Sequence, residues 1–456
     1  MGVFQRLTSS INPKRKTLGE LSAESSSADT KATSSTPDIQ ITTEYLEIKK
    51  LIDEKHKLIF VTGGAGTGKS TFIKWIEKVY SGKVAIAAPT GIAALTVSGM
   101  TIHRLCKLPP AWIVDADIKI DPKSVIPKIE ILIIDEVSMV NANLLDAIDK
   151  FCKLQRKNQQ PFGGLTIIMV GDLFQLPPVV TSSTQPLFQR EYDSAKFFAA
   201  HCVSNISPVG VELSSPFRQK DETLIRLLTN IREGIELQNT INEFNSLCKI
   251  TLEAPAGAVH LAPRNRDVEA INTVELNKLP GPQFTFESKL TGKFSEKQLP
   301  APETVNIRNG AQVVMLCNSK EWVNGNVGVV TRATRESVVV KVIETGKSVV
   351  VKPHVWNNYE YAYNEKEKKV ERNVVGTFTQ LPLSLAWAMT IHKSQGLTLD
   401  KVHLNLTGGG AFETGQTYVA LSRCRLISSI TLAKKLTVSD VLVDLEAIDF
   451  YRAIRG

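Results

Sequence analysis

Residues 59–70, IFVTGGAGTGKS, place an apolar run directly ahead of a complete phosphate-binding loop, Gly63-x4-Gly68-Lys69-Ser70. The order strand, glycine-rich loop, helix lets the backbone N–H groups of Gly63, Gly64, Ala65, Gly66, Thr67 and Gly68 wrap a phosphate while the next helix, opened by Lys69, Ser70 and Thr71, points its positive end at the same anion. Lys69 is expected to reach the β and γ phosphates, and the Ser70 hydroxyl to help hold Mg²⁺. The stretch predicts an α/β P-loop nucleoside triphosphatase.

Working outward, LIFV (58–61), VAIAA (84–88), IEILIIDE (129–136) and TIIMVG (166–171) are continuous apolar runs. Between them lie helical patterns, Thr71–Tyr80 and Asn143–Leu154, the second with Leu144, Leu145, Ile148, Phe151 and Cys152 on one face. Buried strands separated by helices predict a parallel sheet covered on both sides. A second α/β segment is expected from residue 209, near Val211, with a helix over Glu222–Arg232 whose Leu224, Leu227, Leu228 and Ile231 share a stripe, followed by strand and helix in VHLAPRNRDVEAIN (259–272). Residues 327–356 instead alternate at period two around Thr345-Gly346, which predicts a small antiparallel barrel or meander inserted at about 320–375, with Val338, Val340, Val349 and Val351 in its core. The charged run Asn364–Arg372 reads as a solvated loop. The expected domains are thus a disordered Ser/Thr/Ala-rich tail (1–41), a first motor domain (42–208) and a second (209–456).

Bulk properties narrow the class. The chain has 456 residues, 43% of them hydrophobic, enough for two or three cores. Six scattered cysteines without a CxxC pair point to a reduced, metal-free thiol set. No apolar stretch is long enough to cross a bilayer, and MGVFQRL has no signal-peptide core or myristoylation Ser/Thr, so a soluble intracellular protein is expected: cytoplasmic in a bacterium or virus, nuclear or mitochondrial in a eukaryote. Fifty-four basic against 46 acidic residues give +8, which suits a polyanionic partner but is spread along the chain.

Two strand ends carry chemistry. Ile131-Leu132-Ile133-Ile134 runs into Asp135 and Glu136; Asp135 is expected to hold Mg²⁺ through its water shell and Glu136 to orient and deprotonate the attacking water. The strand ending Gly171-Asp172-Leu173-Phe174-Gln175 places Gln175 where an amide can sense both γ phosphate and water.

With PTGIAAL (89–95), GMTIHR (99–104), IDEVSMV (134–140), FGGLTIIMVGDLFQLPPV (162–179), FRQKD (217–221), WAMTIHKSQGLTLDKV (387–402) and YVALSRCR (418–425), residues 42 to 435 resemble the ordered helicase motifs of superfamily one. In detail they are similar to the petite-integration-frequency (PIF) helicases and their RecD-like relatives. The resemblance implies two RecA-like motor domains clasping ATP and Mg²⁺, single-stranded and tailed duplex DNA as partners, a monomer on DNA, and 5′-to-3′ movement. It assigns the arginine-finger role to Arg218 and Arg423, a nucleotide approach to Gly396, and the DNA-facing surface to Thr90, His103, His392, Lys393 and Ser394. Trp112, in the short segment 100–127 where relatives place a strand-separating wedge, either stacks on a base pair or anchors its loop.

The chain departs from the pattern in two places, one of them the family's longer signature segment after Asp135-Glu136, which survives only partly, as NANLLDAIDKF (141–151). Where relatives carry an adenine-reading Gln in a phrase like S-x-E-Q, this sequence has Thr43-Glu44-Tyr45, which leaves GTP or other triphosphates open as substrates. The expected function is an ATP-dependent DNA helicase acting in replication, repair or recombination. The alternative is a nucleic-acid-dependent ATPase or translocase, or a motor subunit without unwinding of its own. A decayed, merely binding motor has no chemical reason to keep Lys69, Asp135, Glu136, Gln175, Arg218 and Arg423 together.

Overall fold

The computed structural model describes residues 40–206, 208–215, 219, 221–294 and 299–455. Apart from Gln40 and Ile41, the expected N-terminal tail lies outside the described residues, and so does Arg218.

Helix α1 (Thr43–Asp53) starts where the Thr42 hydroxyl accepts the Tyr45 N–H at 3.4 Å. Then come β1 (Leu58–Thr62), α2 (Lys69–Val79), β2 (Val84–Ala88), α3 (Gly91–Thr96), β3 (Met100–Thr101), β4 (Ile131–Ile134), β5 (Thr166–Val170) and β6 (Val209–Glu212). The six strands form one sheet in the order β3-β2-β4-β5-β1-β6, all parallel. Every residue of β1, β2, β4 and β5 is buried, as continuous apolar runs require when helices cover both faces. The helix Ala142–Arg156 buries the expected Leu144, Leu145, Ile148, Phe151 and Cys152, and its N-cap Asn141 accepts the Leu144 N–H at 2.8 Å.

The expected boundary at residue 209 is corrected. β6 pairs in parallel with β1, Ile59 opposite Val209 through Thr62 opposite Glu212, so it completes the first sheet.

A second parallel sheet has the order Ala388–Thr390, Val259–Ala262, Val402–Leu404, Ile430–Leu432, Lys249–Ile250. Interrupting it, an antiparallel run of five strands (Ser348–Val351, Val338–Val342, Val327–Ala333, Gln312–Met315, Leu383–Leu385) surrounds its own core, which includes the expected Val338, Val340, Val349 and Val351. The β-rich insert is longer than sequence suggests, with strands from Phe284 to Leu385.

Asn364–Arg372 is not a solvated loop. It forms the tip and return of a long hairpin, His354–Asn364 paired with Lys369–Gln380, that reaches back to the first sheet. There the Tyr361 hydroxyl accepts the Ile86 N–H at 2.9 Å, the Val370 N–H donates to the Gly82 carbonyl at 3.0 Å, and Arg372 pairs with Glu77 at 3.1 Å while donating to the Ser98 carbonyl. The six cysteines are free thiols, five of them buried. Among the described residues no helix is long and apolar enough to cross a membrane.

Candidate functional site: a nucleotide cleft between two motor sheets

The phosphate loop follows β1 as the sequence predicts. At Gly63 a Cβ would lie 2.5 Å from the Thr67 hydroxyl and 2.7 Å from the Leu213 carbonyl, so the loop closes only around glycine. Gly68, at φ +89°, makes the left-handed turn into α2. The Lys69 ammonium donates to the Gly63 and Gly64 carbonyls at 2.8 and 2.9 Å, within the curve of its own loop. Burial pushes the Lys69 pKa down, opposed by Asp172, Glu136 and Asp135.

A cavity of about 910 Å³ opens over this loop. One wall is Ala65–Thr71, Thr90, Asp135, Glu136 and Gln175 from the first sheet; the other includes His392, Lys393, Gly396 and Arg423 from the second. Glu136 has φ +48°, a left-handed conformation at a non-glycine residue two positions past the end of β4, the kind of strain that persists where a side chain must be placed. Asp135 is buried, and desolvation together with the neighbouring Glu136 carboxylate raises its pKa well above the usual range. A buried carboxylate of this kind and the Ser70 hydroxyl, which lines the same cavity, are oxygen donors of the type suited to a hard divalent cation such as Mg²⁺.

Gln175 is buried, and its amide donates to Asp172 at 3.2 Å. Asp172, fully buried, was not among the residues that sequence singled out for chemistry, yet it organises this wall. It accepts the Tyr418 hydroxyl at 2.9 Å and faces the Arg232 guanidinium at 3.5 Å. Tyr418 in turn accepts the Ala65 N–H at 3.3 Å, linking the helix Gln416–Leu421 to the phosphate loop. Arg232 also pairs with Glu212 at 3.2 Å and packs over the rings of Phe174 and Tyr451 at 4.7 and 5.2 Å. Burial disfavours its charge, but Asp172, the two phenols and Glu212 outweigh burial and hold its pKa above the ordinary guanidinium value. A sequence signal for Arg232 existed: it falls four residues after Leu228 on the apolar stripe of its helix.

The remaining expected residues divide. Arg423 lines the cleft but is almost wholly buried, its guanidinium donating to the carbonyls of Val419 (2.7 Å), Ser394 (3.3 Å) and Leu397 (3.5 Å) and to the Ser422 hydroxyl (2.7 Å). Burial lowers its pKa. Thr90 caps α3, accepting the Ala93 N–H at 3.2 Å. His392, half-exposed, shares a hydrogen bond of 2.9 Å with Glu413, and Lys393 is exposed. His103, half-buried in the short helix Ile102–Leu105 with its pKa lowered by burial, is not part of the cleft lining.

Ser394 is a correction: it is fully buried and its hydroxyl donates to the Ile391 carbonyl at 2.7 Å, so its side chain serves the turn and faces no surface. Trp112 takes the anchoring alternative, packing edge-on against Phe188 at 5.0 Å and near Tyr192 at 6.3 Å, while Asn143 exchanges two 2.9 Å hydrogen bonds with the backbone of Ile113. Tyr45, in place of the adenine-reading Gln, is buried between Phe72 and Trp75 and donates its hydroxyl to the Gly68 carbonyl at 3.0 Å. Beside it Glu44 accepts the Ser214 hydroxyl at 2.7 Å, which holds its pKa down to about 2.

A phosphate loop, an acidic strand end and a buried Gln on one RecA-like sheet, facing an Arg-bearing second sheet across a shared cleft, define a two-domain P-loop motor. A family model described as PIF1-like helicase matches residues 40–236. The ATP-dependent DNA helicase PIF1 of Emericella nidulans is 29% identical, over 98% of this chain and 68% of its own length. Unliganded Pif1 from Bacteroides sp is 34% identical, covering 92% of this chain and 98% of that one, with a TM-score of 0.84. Bacteroides Pif1 bound to single-stranded DNA has the same identity and coverage but a TM-score of 0.66. The chain belongs to the PIF1-like family of ATP-dependent DNA helicases.

Proposed function

We propose that this chain uses ATP and Mg²⁺ in the cleft to step along single-stranded DNA in the 5′-to-3′ direction and to open tailed duplexes ahead of it, as a monomer. The observation that carries the reading is the shared cleft: phosphate loop, Asp135, Glu136 and Gln175 on one wall, Gly396 and Arg423 on the other, His392 and Lys393 at its border. Ser70 and Asp135 would hold Mg²⁺, which would supply neutralisation of phosphate charge. The chain's own residues do the rest. The loop N–H groups and Lys69 bind the phosphates, Glu136 takes the proton from the attacking water, and Gln175 positions that water from its anchor on Asp172. Arg423, with Arg218 of the FRQKD phrase, stabilises charge on the γ phosphate once the lobes close.

Under this reading the domains are a first motor through β6, a second motor that begins after it and includes the helices Glu222–Glu233 and Leu237–Leu247, and a small barrel inserted in the latter. DNA lies across the two lobes, held through its phosphates by His392 and Lys393, with His103 contributing from the first lobe. The direction of movement rests on the family resemblance. The experiment is strand displacement on duplexes with a 5′ or a 3′ single-stranded tail. Opening of the 5′-tailed duplex alone is expected; preference for the 3′ tail would overturn the direction, and DNA-stimulated hydrolysis without displacement of either would favour a translocase.

A further inference from the structure

Phe412 is 53% exposed, and among the described residues it is the sole Phe, Tyr or Trp left exposed. It belongs to TGGGAFETG, the loop that follows the strand Val402–Leu404. That loop leaves the same carboxyl edge of the parallel second sheet as the segments carrying Arg264, after Val259–Ala262, and His392 and Lys393, after Ala388–Thr390.

The loop is built to hold this ring outward. A Cβ at Gly408 would lie 2.9 Å from the Asp267 carboxylate, and one at Gly409, where φ is +106°, would lie 3.2 Å from the Arg264 guanidinium. Glycines therefore let the chain lie flat on the Arg264 and Asp267 side chains. Arg264 donates to the Gly408 carbonyl at 2.7 Å, and its guanidinium lies 5.1 Å from the Phe412 ring centroid. The Phe412 N–H donates to the side-chain oxygen of the fully buried Gln416 at 3.0 Å, and the next residue, Glu413, is the partner of His392. An exposed aromatic ring, backed by a cation and tethered one residue from His392, matches how proteins take a nucleobase from an unpaired strand.

We propose that Phe412 is a stacking platform for one nucleobase of single-stranded DNA, with Arg264 as the positioning residue that fixes the ring. The proposal rests on the reading above that DNA passes His392 and Lys393. Stacking needs a π-face and no particular base, so the platform is tolerant of sequence.

The test compares oligo-dT with an abasic oligonucleotide of equal length, by fluorescence anisotropy at fixed salt, for wild type, Phe412→Ala, Phe412→Leu and Phe412→Trp. Phe412→Ala is expected to bind oligo-dT roughly 10-fold more weakly and to lose little on the abasic strand, so the preference for bases collapses. Trp is expected to retain the preference and Leu to lose it, which separates stacking from bulk and from misfolding. An unchanged dT-to-abasic ratio in Phe412→Ala, or an equal loss on both strands, overturns the platform. If that happens while Lys393→Ala still weakens binding, the groove stands and the platform alone falls. Failure of the wild type to bind oligo-dT removes both.

Discussion

Replacing Arg232 with Ala tests whether the cluster behind the phosphate loop is as interdependent as its geometry implies. Arg232 faces Asp172 at 3.5 Å and Glu212 at 3.2 Å, with all three largely shielded from water. At an effective dielectric of about 20, each contact is worth roughly 5 kcal/mol of attraction. Most of that offsets the removal of the ions from water, and deleting one partner of such a group costs about 3–5 kcal/mol because the other charge stays buried and uncompensated. The lower end applies here: Asp172 retains the Phe174 N–H (3.2 Å), the Gln175 amide (3.2 Å) and the Tyr418 hydroxyl (2.9 Å), and Glu212 retains the Tyr451 hydroxyl (2.6 Å). The lost contacts with the Phe174 and Tyr451 rings add about 1 kcal/mol, for a total near 4 kcal/mol. At about 2 °C per kcal/mol for a domain of this size, melting should fall by about 8 °C. Thermal unfolding followed by circular dichroism at low and high salt measures it, and the drop should persist in high salt because buried pairs are poorly screened. A loss below about 1 kcal/mol, or one that salt removes, is the behaviour of an exposed pair and would refute the cluster.

Three further outcomes are expected. Glu136→Gln should keep nucleotide binding, measured by a fluorescent analogue, while steady-state hydrolysis drops at least about 100-fold; near-normal hydrolysis would exclude Glu136 as the base. Burial pushes the His403 pKa down to about 4 from an ordinary 6.5. The unfolded chain therefore takes up a proton that the folded one refuses, and stability present above pH 6.5 is lost as pH falls toward 4, by about 2 kcal/mol at pH 5. His403→Asn should flatten the melting temperature between pH 7 and 5, and an unchanged slope would show that His403 is not responsible. Because Tyr45 is committed to Gly68 and offers no amide, kcat/KM for GTP should lie within about 10-fold of that for ATP; a site that hydrogen-bonds its base would discriminate by about 10⁴, and such a ratio would rule the argument out.

What sequence could reveal followed from locality. The strands of the first sheet and the helix Ala142–Arg156 were legible because burial on both faces writes itself as unbroken apolar runs and a periodic stripe. β6 falls in the wrong lobe on sequence alone because four residues at a sheet edge, mostly half-buried, carry almost no pattern; only pairing with β1 places them. The hairpin tip reads as a loop because NEKEKKVER has the composition of one, and the docking that fixes it comes from Glu77, Gly82 and Ser98, nearly 300 residues earlier. In the cleft, the phosphate loop and acidic strand end were readable as motifs. Asp172 and Tyr418 were not, since they are 246 residues apart and what matters is one hydrogen bond between them. Ser394 misled because a motif records which residues recur together and not which way each side chain points.

The docked hairpin bears on how the first sheet is kept from aggregating while the chain is made. β3 pairs with only the last two residues of β2, leaving the first half of β2 to be covered by something other than a strand on that side. Tyr361 takes the Ile86 N–H, Val370 and Arg372 take the carbonyls of Gly82 and Ser98, and the edge is closed to a foreign strand. Unprotected edges of apolar sheets template aggregation. During synthesis this one stays open until residue 372 has emerged, long after the first sheet can assemble, so a nascent chain stalled before that point carries an adhesive flank. A shortened protein without the insert inherits the same flank permanently, and its aggregation would reflect a missing cover and not a missing core.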